Sequence, residues 1–158
     1  MYKVNADGAI FSDLKAVGFG AIIMDEKGGV VAALSRKLHA PLGVAEAEAK
    51  ATEMGLQFAK DIGVHDIILE GDTLNVYRAL LVLSTPPPSV DAVILGMQNA
   101  CSESYYVRFS HIRHERNRPV HILAKYAKGI DDYCTWIEES PCFLEHALIH
   151  DVASISVN

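Results

Sequence analysis

The sequence predicts an α/β fold in which a mixed sheet of five strands carries helices on both faces. The N-terminal part alternates apolar, β-branched runs with turn residues, which is typical of an antiparallel meander. The remainder alternates helical periods with apolar strands, which is typical of parallel strands joined by helices. At 158 residues and 50% hydrophobic content, the chain can bury the core of one domain with a short extension, which excludes a disordered or fibrous protein.

The meander comprises three predicted strands. The first covers Tyr2–Ala6 and ends at Asp7-Gly8, a dipeptide typical of a turn. Val17–Met24 and Val30–Leu38 follow, and a charged, glycine-ended segment from Asp25 to Gly29 joins them. Such a connector between two apolar runs predicts a β-hairpin.

A helix and a buried strand come next. Small and apolar residues recur every three or four positions from Val44 to about Ile62, which predicts a helix with Glu48 on its small-residue face. The continuous apolar run within Asp66–Gly71 is typical of a parallel strand covered on both sides. Asp72 directly follows this strand.

The remaining elements complete the order β-β-β-α-β-α-α-β-α. They are a helix that begins at Thr73, a helix over Ser89–Cys101, a strand over Tyr105–Ile112 and a helix in which Pro119 is the first residue. We assign residues 1–130 to one domain and residues 131–158 to a C-terminal extension that packs on it. Trp136 and the apolar residues after Pro141 are the part of this extension that we expect to make the contact.

Three carboxylates are expected to converge in this topology. Asp7 ends the first strand, Asp72 ends the fourth, and Glu48 lies in the first turns of the first helix. Functional groups in α/β sheets collect at the carboxyl ends of strands and at the starts of the helices that follow. Converging carboxylates repel one another unless a hard dication binds them, and Mg²⁺ prefers oxygen ligands. The pattern therefore predicts a magnesium site suited to phosphoryl transfer.

Charge and composition restrict the partners and the compartment. The formal net charge of −6 argues at first sight against nucleic acid, but basic residues concentrate between Arg108 and Lys128. The candidate nucleic-acid-binding residues are Arg113, Arg116 and Arg118 in this segment, together with Arg36 and Lys37. An odd number of cysteines, no signal-peptide pattern and no long apolar run predict an intracellular protein without a membrane segment. The sequence leaves the oligomeric state open, and a monomer is the expectation.

Four separated blocks carry a family resemblance. They are Val4–Ala9, Ala45–Ala49 with Gly55-Leu56, Leu69–Thr73, and His111–Lys125. In this order and spacing they resemble the ribonuclease H fold of type 1, and more narrowly the plant ribonuclease-H-like domains related to retroelement reverse transcriptases. The resemblance covers about residues 1–130, and the tail around Trp136 also resembles those plant domains.

The resemblance implies a metal-dependent endonuclease that hydrolyses the RNA strand of RNA–DNA hybrids with two Mg²⁺ ions. Asp7, Glu48 and Asp72 match three of the four metal-binding acids of the family. His111 matches the mobile histidine that the family uses for proton transfer or product release, and this interpretation is favoured slightly over that of a polar residue at the end of a strand.

The fourth metal-binding position of the family is occupied by His121. An imidazole either replaces the acid as a weaker ligand or makes only a hydrogen bond, and Mn²⁺, which tolerates nitrogen ligands better, is a possible substitute for Mg²⁺. Residues that read the minor groove in the family are also replaced, by Gly43–Ala47 and Leu74. Two alternatives therefore stay open: a nucleic-acid-binding domain with weak or no catalysis, and a 3′–5′ exonuclease built on the same acidic cluster.

Overall fold

The structure is a computed structural model that describes residues 1–71, 106–112 and 117–148. These residues form a sheet whose strands are β1 (Tyr2–Phe11), β2 (Ala16–Met24), β3 (Val30–Leu38), β4 (Asp66–Gly71), β5 (Tyr106–His111) and β6 (Tyr133–Ile137). The two long helices among them are α1 (Val44–Asp61) and α2 (Arg118–Tyr126).

The strand order is β5-β4-β1-β2-β3-β6. The meander β1-β2-β3 is antiparallel, and β4 and β5 run parallel to β1 on its other side. Helix α1 covers one face of the sheet, where Leu56 and Ala59 pack on Val4 and Ala21. Helix α2 covers the other face through Leu123, which lies in a separate cluster. The predicted α/β fold, with a mixed sheet and helices on both faces, is confirmed.

Strand β1 is longer than the sequence predicted. Instead of ending at Ala6, it continues through Asp7-Gly8 to Phe11 and pairs with β2 from Lys3 to Phe11. Gly8 does not form a turn, because it lies where α1 crosses the strand: a Cβ atom at this position would be 3.1 Å from the carbonyl oxygen of Ala47. The glycine permits close packing of a helix on the sheet, so Asp7 lies inside the strand and not at its end.

Helix α2 approaches the sheet even more closely. A Cβ atom at Gly18 or Gly20 of β2 would overlap the helix backbone at Ala124 or Val120. In addition, the buried hydroxyl of Ser35 donates a hydrogen bond to the carbonyl oxygen of Leu123 at 2.7 Å. These contacts hold the first turns of α2 directly above the middle of β1 and β2.

The tail contributes a sixth strand that the sequence analysis did not predict. Strand β6 pairs antiparallel with β3, from Ala32↔Ile137 to Arg36↔Tyr133. After it, Leu144 is fully buried in the cluster beneath α2. The division of the chain at residue 130 remains a prediction, and the predicted helices that begin at Thr73 and Ser89 lie outside the described residues. None of the helices in the described ranges is long and apolar enough to cross a membrane.

Candidate metal centre and nucleic-acid cleft

Asp7 is a buried carboxylate in the centre of the sheet. It lies opposite Gly20 of β2 and is only 3% exposed. The parallel pairing of β1 with β4 ends at Asn5↔Glu70, so Asp7 lies just beyond the last pair of this ladder. A carboxylate so deeply buried requires a polar or ionic partner.

His121 of α2 is one such partner. Its Nδ1 atom donates a hydrogen bond to Oδ2 of Asp7 at 2.6 Å. The donor assignment follows because an ionised carboxylate can only accept hydrogen bonds. The contact exists because Gly20, beside Asp7, lets α2 approach the strand. From the sequence, direct metal ligation by His121 and a hydrogen bond were equally weighted alternatives. In the structure, His121 makes a hydrogen bond to Asp7.

Glu48 lies on the other wall of an open cleft of about 490 Å³. The cleft runs between the first turns of α1 and one side of α2 over the second half of β1, and its lining includes Gly8, Glu48 and His121. Glu48 is half-buried, whereas Ala51, Gly55 and Ala59 of the predicted small-residue face are buried against the sheet. The start of α1 thus carries a carboxylate towards the cleft that His121 borders.

The remaining catalytic predictions fall at the edge of the described region. Asp72 follows Gly71 in the sequence but lies outside the described residues. His111 is the last residue of β5, and its backbone pairs with Gly71. The topology therefore brings the backbone of His111 beside the end of β4, which Asp72 follows directly.

The donor set suits magnesium only in part. Carboxylate oxygens such as those of Asp7 and Glu48 are the ligands that Mg²⁺ prefers, whereas the imidazole of His121 is a poor ligand for this ion. Within residues 1–71, 106–112 and 117–148, no three His, Cys, Asp or Glu side chains lie close enough to hold a metal ion. A complete magnesium site at this place would therefore need a ligand from outside these residues, and Asp72 is the one that the sequence predicts.

None of the predicted basic residues that the structure describes lines this cleft. Its cations are Lys125 and Lys128 of the C-terminal half of α2 and the turn after it. Arg36 lines a different groove, between α1 and β6. The ammonium group of Lys37 donates to the carbonyl oxygen of Lys128 at 3.1 Å. Arg118 is exposed at the start of α2, and Arg113 and Arg116 lie outside the described residues.

A buried amide network beside Asp7 was not anticipated. Asn117 is fully buried, and its side-chain oxygen accepts a hydrogen bond from Nδ2 of Asn5 at 3.3 Å. The Nδ2 group of Asn117 donates to the carbonyl oxygen of Ala6 at 3.4 Å. Asn5 also donates to Glu70 at 3.2 Å. The network connects β1, β4 and the start of α2, and the only sequence signal for it is an asparagine two residues before Pro119.

A comparison of the sequence with models of protein families identifies the family. The family model for reverse transcriptase-like domains matches residues 5–127, which is most of the chain and includes Asp7, Glu48 and His121. The chain belongs to the reverse transcriptase-like family. The sequence matches no curated protein at a significant level. The narrower likeness to plant domains remains a prediction.

Solved structures agree with this reverse transcriptase-like fold. Ribonuclease H1 from the archaeon Halobacterium salinarum superposes with a TM-score of 0.74 at 23% identity, and the match covers 80% of this chain and 96% of that one. LC11 ribonuclease H1, solved in complex with an RNA/DNA hybrid, gives a TM-score of 0.73 at 19% identity with coverages of 80% and 96%. The ribonuclease H domain of rv2228c from Mycobacterium tuberculosis gives a TM-score of 0.70 at 19% identity, with coverages of 80% and 91%. The ribonuclease H-like fold of the reverse transcriptase-like chain is thereby confirmed.

Proposed function

We propose that this protein is a metal-dependent endonuclease that hydrolyses the RNA strand of RNA–DNA hybrids. The observation that carries the proposal is the buried Asp7 carboxylate, which is held under a cleft that Glu48 and His121 line. Membership of the reverse transcriptase-like family and the likeness of the fold to ribonucleases H support the same activity. One of those relatives was solved with an RNA/DNA hybrid.

In this proposal Asp7, Glu48 and Asp72 hold two Mg²⁺ ions, and Mn²⁺ can substitute. When bound, the ions lower the pKa of the attacking water and stabilise the leaving oxygen of the cleaved phosphodiester. The strand fixes the position of the Asp7 backbone, and burial restricts the rotation of its side chain. His121 orients the Asp7 carboxylate through its hydrogen bond to Oδ2, and a carboxylate has about four lone-pair sites on its two oxygens, so this bond does not by itself exclude a metal ion.

The cations of the cleft position the substrate. Lys125 forms no ion pair with any described residue, so its ammonium group can bind a phosphate of the nucleic acid without breaking an existing contact. Lys128 already contacts Asp13 at 3.4 Å, but this pair is largely exposed and therefore weak. His111 assists proton transfer or product release, as the sequence predicts.

Cleavage assays with matched variants test the proposal. Labelled RNA–DNA hybrid, double-stranded RNA and single strands are incubated with the protein in Mg²⁺ and in Mn²⁺. We expect internal cuts in the RNA strand of the hybrid, which Asp7→Asn and Glu48→Gln abolish. Glu46→Gln is the matched control, because this acid lies on the same helix but does not line the cleft. Equal cleavage by wild type and Asp7→Asn would refute the metal site.

The second candidate is a nucleic-acid-binding domain without turnover. It is favoured by His121, which brings no negative charge to the fourth position and occupies one oxygen of Asp7. Hybrid binding without cleavage in either metal would support it. Products released only from 3′ ends would instead indicate an exonuclease.

A further inference from the structure

Strand β6 forms one edge of the described sheet. It is the last strand in the order, and no other described strand pairs with its outer side. An open edge exposes a row of unpaired backbone groups that can pair with another chain. This edge lies on the opposite side of the sheet from β4 and β5, and therefore away from the candidate metal centre.

The register identifies which backbone groups are open. The N–H of Lys37 donates to the carbonyl oxygen of Asp132, and the N–H of Glu138 donates to that of Val31. In an antiparallel ladder, alternate residues of a strand bond to the same neighbour. The backbone N–H and C=O groups of Cys134 and Trp136 therefore bond to β3. Those of Tyr133, Thr135 and Ile137 point to the open edge.

The side chains of these outward-bonding residues form an exposed apolar row. Tyr133 is 61% exposed and Ile137 is 54% exposed, with the exposed Thr135 between them. All three project to the α1 face, where Tyr133 and Thr135 line the groove beside the helix. Natural edge strands are usually protected by a proline, a bulge or a charged side chain within the strand. Strand β6 contains none of these, so its edge is suited to pairing.

Acidic residues flank the strand at both ends. Asp131 and Asp132 precede it, Glu138 and Glu139 follow it, and all four are exposed. None of them forms an ion pair with another residue in the described ranges. Two copies paired antiparallel about Thr135 would place Asp132 opposite Glu138 of the second copy, and like charges in that position are destabilising. The charges therefore disfavour self-pairing and favour a basic partner.

We propose that the open edge of β6 binds an extended, lysine- or arginine-flanked segment of a partner protein as a seventh strand. The backbone groups of Tyr133, Thr135 and Ile137 supply the hydrogen bonds. Apolar or β-branched side chains of the partner pack beside Tyr133 and Ile137, and its basic ends meet the acidic flanks. Strand addition of this kind takes affinity from the backbone and specificity from the side chains. The proposal does not depend on the nuclease activity.

Peptide binding to the purified protein tests this proposal. The probe is a fluorescently labelled peptide of alternating Val and Thr with two Lys at each end, and fluorescence anisotropy measures its affinity. The first control peptide has Glu ends, and the second carries N-methyl groups on alternate backbone amides. We expect each change to lower the affinity at least tenfold, because the first opposes the acidic flanks and the second removes the strand pairing.

A variant at the middle of the edge distinguishes strand pairing from non-specific binding of the peptide. Thr135→Pro removes an N–H that points away from β3, and proline is tolerated at such an edge position. We expect it to weaken peptide binding at least tenfold, whereas Thr135→Val binds like the wild type. Binding that survives both Thr135→Pro and N-methylation would overturn the proposal. Wild-type dimerisation that Thr135→Pro abolishes would also overturn it, in favour of a second copy as the occupant.

Discussion

Replacing His121 with Asp tests how the fourth position works. In the protein, the imidazole Nδ1 lies 2.6 Å from a carboxylate oxygen of Asp7, which is almost fully buried. The substitution removes a charge-assisted hydrogen bond worth about 1.5–3 kcal/mol. It also places two carboxylates near each other, and at about 4 Å and an effective dielectric constant of 20 their repulsion is about 4 kcal/mol.

Solvent reduces this sum, since the side chain at position 121 is 30% exposed. We expect a net loss of about 2–4 kcal/mol in the free energy of unfolding without metal, which lowers Tm by about 5–15 °C for a chain of this size. His121→Asn is the matched control: a neutral side chain of similar length loses only about 1 kcal/mol.

Magnesium should restore more stability to the Asp variant than to the Asn variant. If the new carboxylate joins the metal site, Mg²⁺ at a hundred times its Kd restores about 2.7 kcal/mol, or about 5–10 °C in Tm. His121→Asp should then also cleave hybrid faster than the wild type at limiting Mg²⁺. Thermal unfolding monitored by circular dichroism, with and without Mg²⁺, measures the shift. The reasoning is refuted if Mg²⁺ raises the Tm of His121→Asp no more than that of His121→Asn.

Three further substitutions test the packing and the cleft. Gly20→Ala forces a methyl group against the backbone of α2 and should cost about 3 kcal/mol in chemical denaturation, whereas Gly129→Ala, which has open space, should cost less than about 0.5 kcal/mol. Asn117→Ala leaves buried polar partners unsatisfied and should cost about 1–3 kcal/mol in the same assay; an unchanged midpoint would contradict the network. Log affinity for hybrid falls as log salt concentration rises. In an Asp7→Asn background, Lys125→Ala should make this slope shallower by about 0.9, while Lys27→Ala on the distant hairpin should leave it unchanged.

The sequence predicted those elements whose signals are local. The limits of β3 and β4 are as predicted. Each strand contains an apolar run, Val30–Leu34 in β3 and Ile67–Leu69 in β4, and a glycine lies before β3 and at the end of β4. The end of β1 was predicted wrongly because Gly8 has the composition of a turn but a tertiary role under α1. Strand β6 was overlooked although Tyr133–Ile137 is rich in aromatic and β-branched residues. Its pairing is with β3, which is distant in sequence, and no local pattern identifies such a partner.

The candidate site was predictable in its residue types but not in its contacts. Asp7 and Glu48 were found from their places in the order of elements. The hydrogen bond between His121 and Asp7 depends on how closely α2 packs on Gly18 and Gly20, and that distance is a property of the assembled sheet. For the same reason, the basic segment alone could not indicate that Lys125 faces the cleft.

The formal charge of −6 is not evidence against nucleic acid at the cleft, because of where the acids lie. The four acids that flank β6 account for much of the excess, and without them the charge would be −2. Strand β6 is three strands away from β1, or about 14 Å at the usual strand spacing. This separation exceeds the Debye length of about 8 Å at physiological ionic strength, so these acids are largely screened from a phosphate bound above Asp7 of β1. The same acids lie within the Debye length of a chain bound at the β6 edge and attract its basic residues. A net charge of −6 is therefore compatible with an anionic ligand at the cleft and a cationic one at β6.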